Sequence, residues 1–186
     1  MPQILQLALY LQTCVPFKGN HNIIFTHINN NMKKLKENCV ALSEAAELIN
    51  PRRKEGTGLV FRVSKVSYPL NPEVLPEGKA TSYLLETGDV ILQNVGNPDV
   101  YLVSDANLPE IYVSTYDVII KCRKISPAYL FLYLTSVEGQ KALKSIQSGT
   151  MVKHIALNDL RKLAIPLPDK ADEVYEKEFE EKYLKR

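Results

Sequence analysis

Tryptophan is absent from the 186 residues, and histidine, cysteine and methionine occur three times each. Cys14, Cys39 and Cys122 form no Cys-x-x-Cys pair. Their odd number argues against a disulfide scaffold or a zinc ribbon and fits a reducing, cytoplasmic compartment. His21 and His27 lie in an asparagine-rich stretch with no third ligand near them, so no metal site is expected. Gly56-x-Gly58 and the Gly88 and Gly96 pair lack the strand–loop–helix frame and lysine of a phosphate loop. His154 stands alone in the regular part of the chain, and Cys122 ends an apolar strand, where an inert core thiol is the default. The reading is therefore a non-enzyme with no catalytic residues and no cofactor. A long apolar run is also missing: residues 4–11 fall short of the ~20 needed to span a bilayer. That run follows no basic segment, as a signal peptide would. No membrane partner is expected.

Charge of one sign is scarce too. Lysine and arginine total 23 against 21 acidic residues, a net charge of +2, so any basic surface must be local. With 45% hydrophobic and 24% charged residues, the chain suits one folded domain with its own core. The charges divide it into three segments. Residues 1–38 carry four lysines and one glutamate, and are read as an N-terminal extension. Met32, followed by Lys33 and Lys34, reads as the native start, with residues 1–31 upstream of it. Residues 39–168 are nearly balanced and carry the regular patterns. Residues 169–186 hold five basic and seven acidic side chains and read as the start of a charged helix for dimerisation or docking.

Within 39–168 the patterns predict an α+β fold. Ala41 to Leu48 suits a short helix, with Ser43 as a cap. Residues 52–58 read as a basic, glycine-rich loop, and 59–63 as a strand. Residues 90–95, 100–103, 111–113 and 116–122 are short β-branched runs bounded by Gly, Pro or Asn, as in a mixed or antiparallel sheet. Ser126-Pro127 opens a helix whose apolar face is Leu130, Tyr133, Leu134 and Val137. Thr135 and Glu138 have capping-box spacing, which starts a second helix running to Ile146 and makes a helical hairpin. Asn158 reads as the cap of one turn at 159–162, and Leu163 to Pro168 as a sheet edge. Beyond Pro168, Tyr175, Phe179 and Tyr183 recur every four residues, the face of a short C-terminal helix.

Base edges are read by Arg or Lys at guanine and by Asn or Gln at adenine, while Ser, Thr and Lys hold phosphates. Three places carry such groups on loops or strand ends. Arg52, Arg53 and Lys54 with Arg62, Ser64 and Lys65 form one. Gln93 and Asn94 form the second, and Thr150, Lys153 and His154, after Ser148-Gly149, the third. Each has an ordinary alternative: a solvated basic loop, turn chemistry, or a helix stop.

The order of motifs resembles the target-recognition domain of specificity subunits in type I restriction–modification systems. Residues 40–49 resemble the approach to that domain. Leu85 to Leu92, with Gly88-Asp89-Val90 at its centre, resembles the family's central strand. Tyr129 to Leu134 fits its helix, and Ser148-Gly149-Thr150 with Ile155, Leu160 and Ile165 to Pro168 resembles its closing signature. The resemblance spans residues 39–168. It implies a subunit without chemistry of its own that reads half of a split DNA target. Such a subunit docks adenine methyltransferase and nuclease-translocase subunits. It also implies that Arg62 to Lys65, Gln93, Asn94 and Thr150 to His154 are candidate contacts to double-stranded DNA. Complete specificity subunits carry two such domains separated by long helices. One domain here implies a half-subunit that pairs with itself or a second specificity subunit, a recombination cassette, or a truncated remnant. The remnant would dock on methyltransferase or sister subunits without reading DNA.

Overall fold

The run Val90-Ile91-Leu92 is apolar without alternation because both faces of its strand are buried. In the computed structural model, which describes residues 38–168 and 170–185, this run is β5 (Val90–Gln93). It sits inside an antiparallel sheet of order β2-β8-β5-β6, with β2 at Ala46–Ile49, β6 at Val100–Leu102 and β8 at Asp117–Cys122. Ile91 pairs with Ile119 and Val90 with Ile120. Residues on alternate positions therefore feed two separate cores. Val90, Leu92, Val118 and Ile120 face the helices and pack with Leu130, Phe131 and Leu134. Ile91, Ile119 and Tyr101 face the other way, onto Phe61, Ile111 and Val113. The N-terminal extension, with His21, His27 and Met32, lies outside the described residues.

The second layer is a mixed sheet of order β4-β3-β7, with β3 at Arg53–Phe61, β4 at Glu77–Thr81 and β7 at Ile111–Val113. β3 runs antiparallel to β4 and parallel to β7. Here the sequence reading is corrected: 53–58 is strand, not loop. The register shifts between Arg53 and Thr57, so the strand absorbs its polar, glycine-containing half as an irregular stretch. A second correction concerns 41–48, which forms only one helical turn, α1 (Leu42–Ala45), before β2. Pairing of Ala46 to Ile49 with Cys122 to Ile119 outweighs helix propensity there, and Ser43 caps nothing.

The helical hairpin matches expectation. α2 spans Pro127–Thr135, with Ser126 Oγ accepting the Tyr129 N–H. α3 spans Val137–Ser145, and its cap is Ser136, one residue after the expected Thr135. Ser136 Oγ takes the Gly139 N–H at 3.1 Å, while the Thr135 hydroxyl turns back to the Phe131 carbonyl. α4 (Leu157–Arg161) starts one residue before Asn158, whose side chain accepts from Arg161 instead of capping. Two ribbons complete the domain. β1 (Cys39–Ala41) pairs with β11 (Ala164–Pro166), and β9 (Gln147–Ser148) pairs with β10 (His154–Ile155). Short strands in a mixed and an antiparallel sheet, followed by a helical hairpin, make the domain α+β.

The C-terminal helix α5 (Asp172–Phe179) continues as a wide turn over Glu180–Leu184. Its four-residue aromatic spacing packs inward. Tyr175 meets Tyr129 at 4.8 Å between ring centroids, and Phe179 and Tyr183 meet Phe131 at 5.3 and 5.0 Å. The edge-on angles suit the quadrupoles of the rings. The aromatic face read from the sequence is thus buried on α2, and the charged side faces solvent. Among the described residues, no helix is long and apolar enough to cross a membrane.

Gly88-Asp89 has a structural explanation. Asp89 is buried, and its carboxylate accepts the Glu86 N–H at 2.9 Å and the Tyr83 hydroxyl at 3.0 Å. These bonds hold the 86–89 turn, in which Gly88 takes a φ of +88°. Burial raises the Asp89 carboxyl above its ordinary range, while its hydrogen bonds pull the other way.

Candidate nucleic-acid interface

β3, β4 and the turn between β7 and β8 enclose an open groove of about 610 Å³. The strands close tightly at Gly58, paired with Gly78; a Cβ on Gly58 would stand 2.8 Å from the Tyr112 ring. Four cations line the groove, Arg53, Arg62, Lys65 and Lys79, against one carboxylate, Glu77. Among the described residues none of these four closes an ion pair. Arg62 is held another way: its guanidinium lies 4.6 Å from the centroid of the Tyr116 ring. Such stacking orients the charge without neutralising it.

Asp117 lies near this arginine at 0% exposure, and the Val63 amide and the Arg62 charge act on its carboxylate without closing a well-formed hydrogen bond. Burial pushes its pKa up to about 7. The Val63 amide and the Arg62 charge oppose the shift but do not cancel it. Buried carboxyls without partners favour the neutral form.

From Tyr116 a chain of backbone bonds leads to the other polar patches. The Tyr116 carbonyl accepts the Asn94 N–H at 3.0 Å, and the Asn94 carbonyl accepts the Ile155 N–H at 2.8 Å. Gly96 N–H donates to the Lys153 carbonyl at 2.8 Å, Val95 bridges His154, and Gln147 Nε2 donates to the Gly96 carbonyl at 2.7 Å. The 93–96 turn therefore splints the β9–β10 hairpin to the rim of the groove. Gly149 makes the hairpin turn; its φ is +100°, and a Cβ there would meet the Val152 carbonyl oxygen at 2.3 Å.

The structure thus links the three patches read from the sequence and sorts their members. Arg53, Arg62 and Lys65 line the groove. Ser64 is exposed on the 3-10 turn Val63–Lys65 beside it. Arg52 and Lys54 are exposed but do not line it; the Arg52 backbone exchanges bonds with Ser82. Thr150, Lys153 and His154 are exposed on the hairpin, where His154 Nε2 and Ser148 Oγ lie 3.2 Å apart. Gln93 is placed differently. Its Nε2 donates to the Val95 carbonyl at 2.5 Å, so the amide braces the turn. Asn94 likewise acts through its backbone. Lys79 and Tyr116 belong to the groove and were not singled out from the sequence. The polar Ser114-Thr115-Tyr116 turn between two apolar strands was the available signal. No group of residues that could hold a metal ion occurs among the described residues.

The sequence matches no family model and no curated protein. Solved structures do match. The HsdS subunit from Thermoanaerobacter tengcongensis aligns at a TM-score of 0.50 and 18% identity, over 75% of this chain and 34% of that one. A chain from a structure of the complex assembly and conformational transition of the type I R-M system aligns at 0.54 and 18% identity, over 70% and 37%. The type I restriction–modification S subunit from M. genitalium aligns at 0.46 and 15% identity, over 69% and 33%. This chain spans about a third of the length of these structures. The described domain has the fold found in type I restriction–modification specificity subunits.

Proposed function

We propose that this chain is the DNA-reading module of a type I restriction–modification system. In this reading it is a non-catalytic, cytoplasmic specificity subunit with a single target-recognition domain. It recognises one half of a split target in double-stranded DNA and directs adenine methyltransferase and nuclease-translocase subunits to it. A second specificity domain, from another copy of the chain or a different subunit, reads the other half. The observation that carries the proposal is the cationic groove, joined through Tyr116 and Asn94 to the hairpin bearing Lys153 and His154. The net charge of +2 is spread over the whole chain, yet four cations without ion pairs meet at one groove. Such a local excess supplies phosphate contacts that fix the register of a duplex. Arg62, held over a ring, has the fixed fork that suits guanine. The shared fold supports the same reading.

The test is a methylation map. The chain is co-expressed with adenine methyltransferase subunits in a host free of adenine methylation, and the genome is sequenced for modified adenines. A split motif that appears only with this chain supports the proposal. A palindromic motif means that two copies act together, and an asymmetric one means a different second domain. No modified motif, with the proteins soluble and co-purifying, overturns it.

A further inference from the structure

The tip of the β9–β10 hairpin places apolar side chains in water. Met151 is 97% exposed and Val152 is 61% exposed. A slack loop would fold such residues back onto the protein, because burial of apolar surface is favourable. This turn does not, and its bracing shows why. Gly149 folds the backbone against the Val152 carbonyl. Lys153, His154 and Ile155 are each tied to the 94–96 segment, and Gln147 is tied to Gly96. Thr150 and Lys153 flank the pair as groups able to reach phosphates. The tip is an exposed apolar point on a polar hairpin whose base is fastened to the rim of a groove with excess positive charge.

We infer that Met151 and Val152 form a wedge that enters between adjacent base pairs of the bound duplex. The inference rests on the DNA-reading function proposed above. The occupant is a nucleic acid duplex because positive charge that complements phosphate sits beside the tip at Lys153 and lines the groove to which the hairpin base is linked, at Arg53, Arg62, Lys65 and Lys79. Inserted apolar side chains partly unstack a step and bend the helix. The cost is offset by the added protein surface that the bent duplex meets. Steps differ in that cost, and pyrimidine–purine steps such as TA and CA open most readily. The wedge therefore adds a preference for a pyrimidine–purine step where no base edge is read.

The experiment uses duplexes of about 30 base pairs. They carry 2-aminopurine beside one TA, CA or GA step, with donor and acceptor dyes at the ends. The full chain is compared with the Met151→Ala/Val152→Ala double variant, whose exposed positions leave the fold and thermal midpoint unchanged. The wild-type chain raises 2-aminopurine emission most at TA or CA steps and shortens the end-to-end distance. The double variant loses both signals and binds about 3- to 10-fold more weakly. Its salt dependence is unchanged, because phosphate contacts remain. Equal emission and bending for both proteins while both bind overturns the wedge but not the DNA-reading function. A double variant that keeps both DNA signals but no longer co-purifies with methyltransferase makes the tip a protein contact and also overturns it. Failure of the wild-type chain to bind any duplex at low salt overturns the wedge together with the reading beneath it.

Discussion

The two ends of strand β8 carry polar residues of similar kinds in opposite states. At the Cys122 end the charge network is paired, with Asp105 Oδ2 as a buried exception beside it. Lys121 pairs with Glu86 at 2.6 Å and lies over the Tyr83 ring, Tyr83 bonds Asp89, and Arg123 pairs with Glu47 at 2.6 Å. At the Asp117 end, 0%-exposed Asp117 closes no well-formed hydrogen bond despite the Val63 amide and Arg62 charge acting on it, Gln93 Oε1 and Asn94 Oδ1 are buried without partners, and Arg62 rests on a ring rather than in an ion pair. Buried polar groups are ordinarily satisfied. One end commits its charges to the fold, and the other leaves Arg62 and the groove cations outside any ion pair. The groove and the braced hairpin sit at that second end.

The comparison can be broken by substitutions, beginning with the largest effect. Gly149→Val forces a β-branched residue to φ +100° and into the Val152 carbonyl. It should cost the hairpin about 1–3 kcal/mol, read as lost hydrogen-exchange protection at the Gly96 and Ile155 amides. DNA affinity should fall with it.

Asp117→Asn probes the buried carboxyl through pH. Native Asp117 holds its proton to about pH 7, whereas the unfolded chain releases it near 3.8. Between those values the native state binds more protons, so this group's contribution makes stability fall as pH rises from 4 to 7. The variant should lack that decline. Above pH 7 it should gain on the order of 1–3 kcal/mol relative to wild type. Urea midpoints at pH 5 and pH 8 measure it, and parallel pH profiles would contradict the assignment.

Arg62→Ala should weaken specific DNA binding by about 1–3 kcal/mol and relax base preference at one position. Lys79→Ala should instead weaken all sequences alike and reduce the salt slope by about 0.9. Arg123→Ala, at the paired end, is the control. Its exposed ion pair with Glu47 is worth about 0.2–1 kcal/mol of stability, and DNA binding should not change. If Arg123→Ala reduced binding as much as Arg62→Ala, the distinction between the two ends would be lost.

Much of the fold was legible because local rules and tertiary demands agreed. Ser126-Pro127 opened α2 as its chemistry requires, and unbroken apolar runs marked strands with two buried faces. The rules failed where pairing partners far along the chain decided the outcome. Ala46 to Ile49 has helix-forming residues but completes the sheet edge on β8. Arg53 to Gly58 looks like a loop until β4 supplies a partner. The site was legible as three polar patches, but not as one surface. Their connection runs through the backbone of Tyr116, Asn94 and Gly96, which leaves no side-chain signature. Gln93 shows the converse: its residue type suits base reading, but the nearest carbonyl takes its amide. Tyr175, Phe179 and Tyr183 gave the correct helical face, while the identity of what they cover depended on α2.

The central claim is that the domain itself reads DNA at the Arg62 end of β8. Selection of bound duplexes from a randomised pool, at low and moderate salt, tests it most directly. The account predicts enrichment of one short motif, loss of affinity with rising salt, and loss of the motif preference in Arg62→Ala. A folded domain that enriches no motif, or binds without salt dependence, would contradict it.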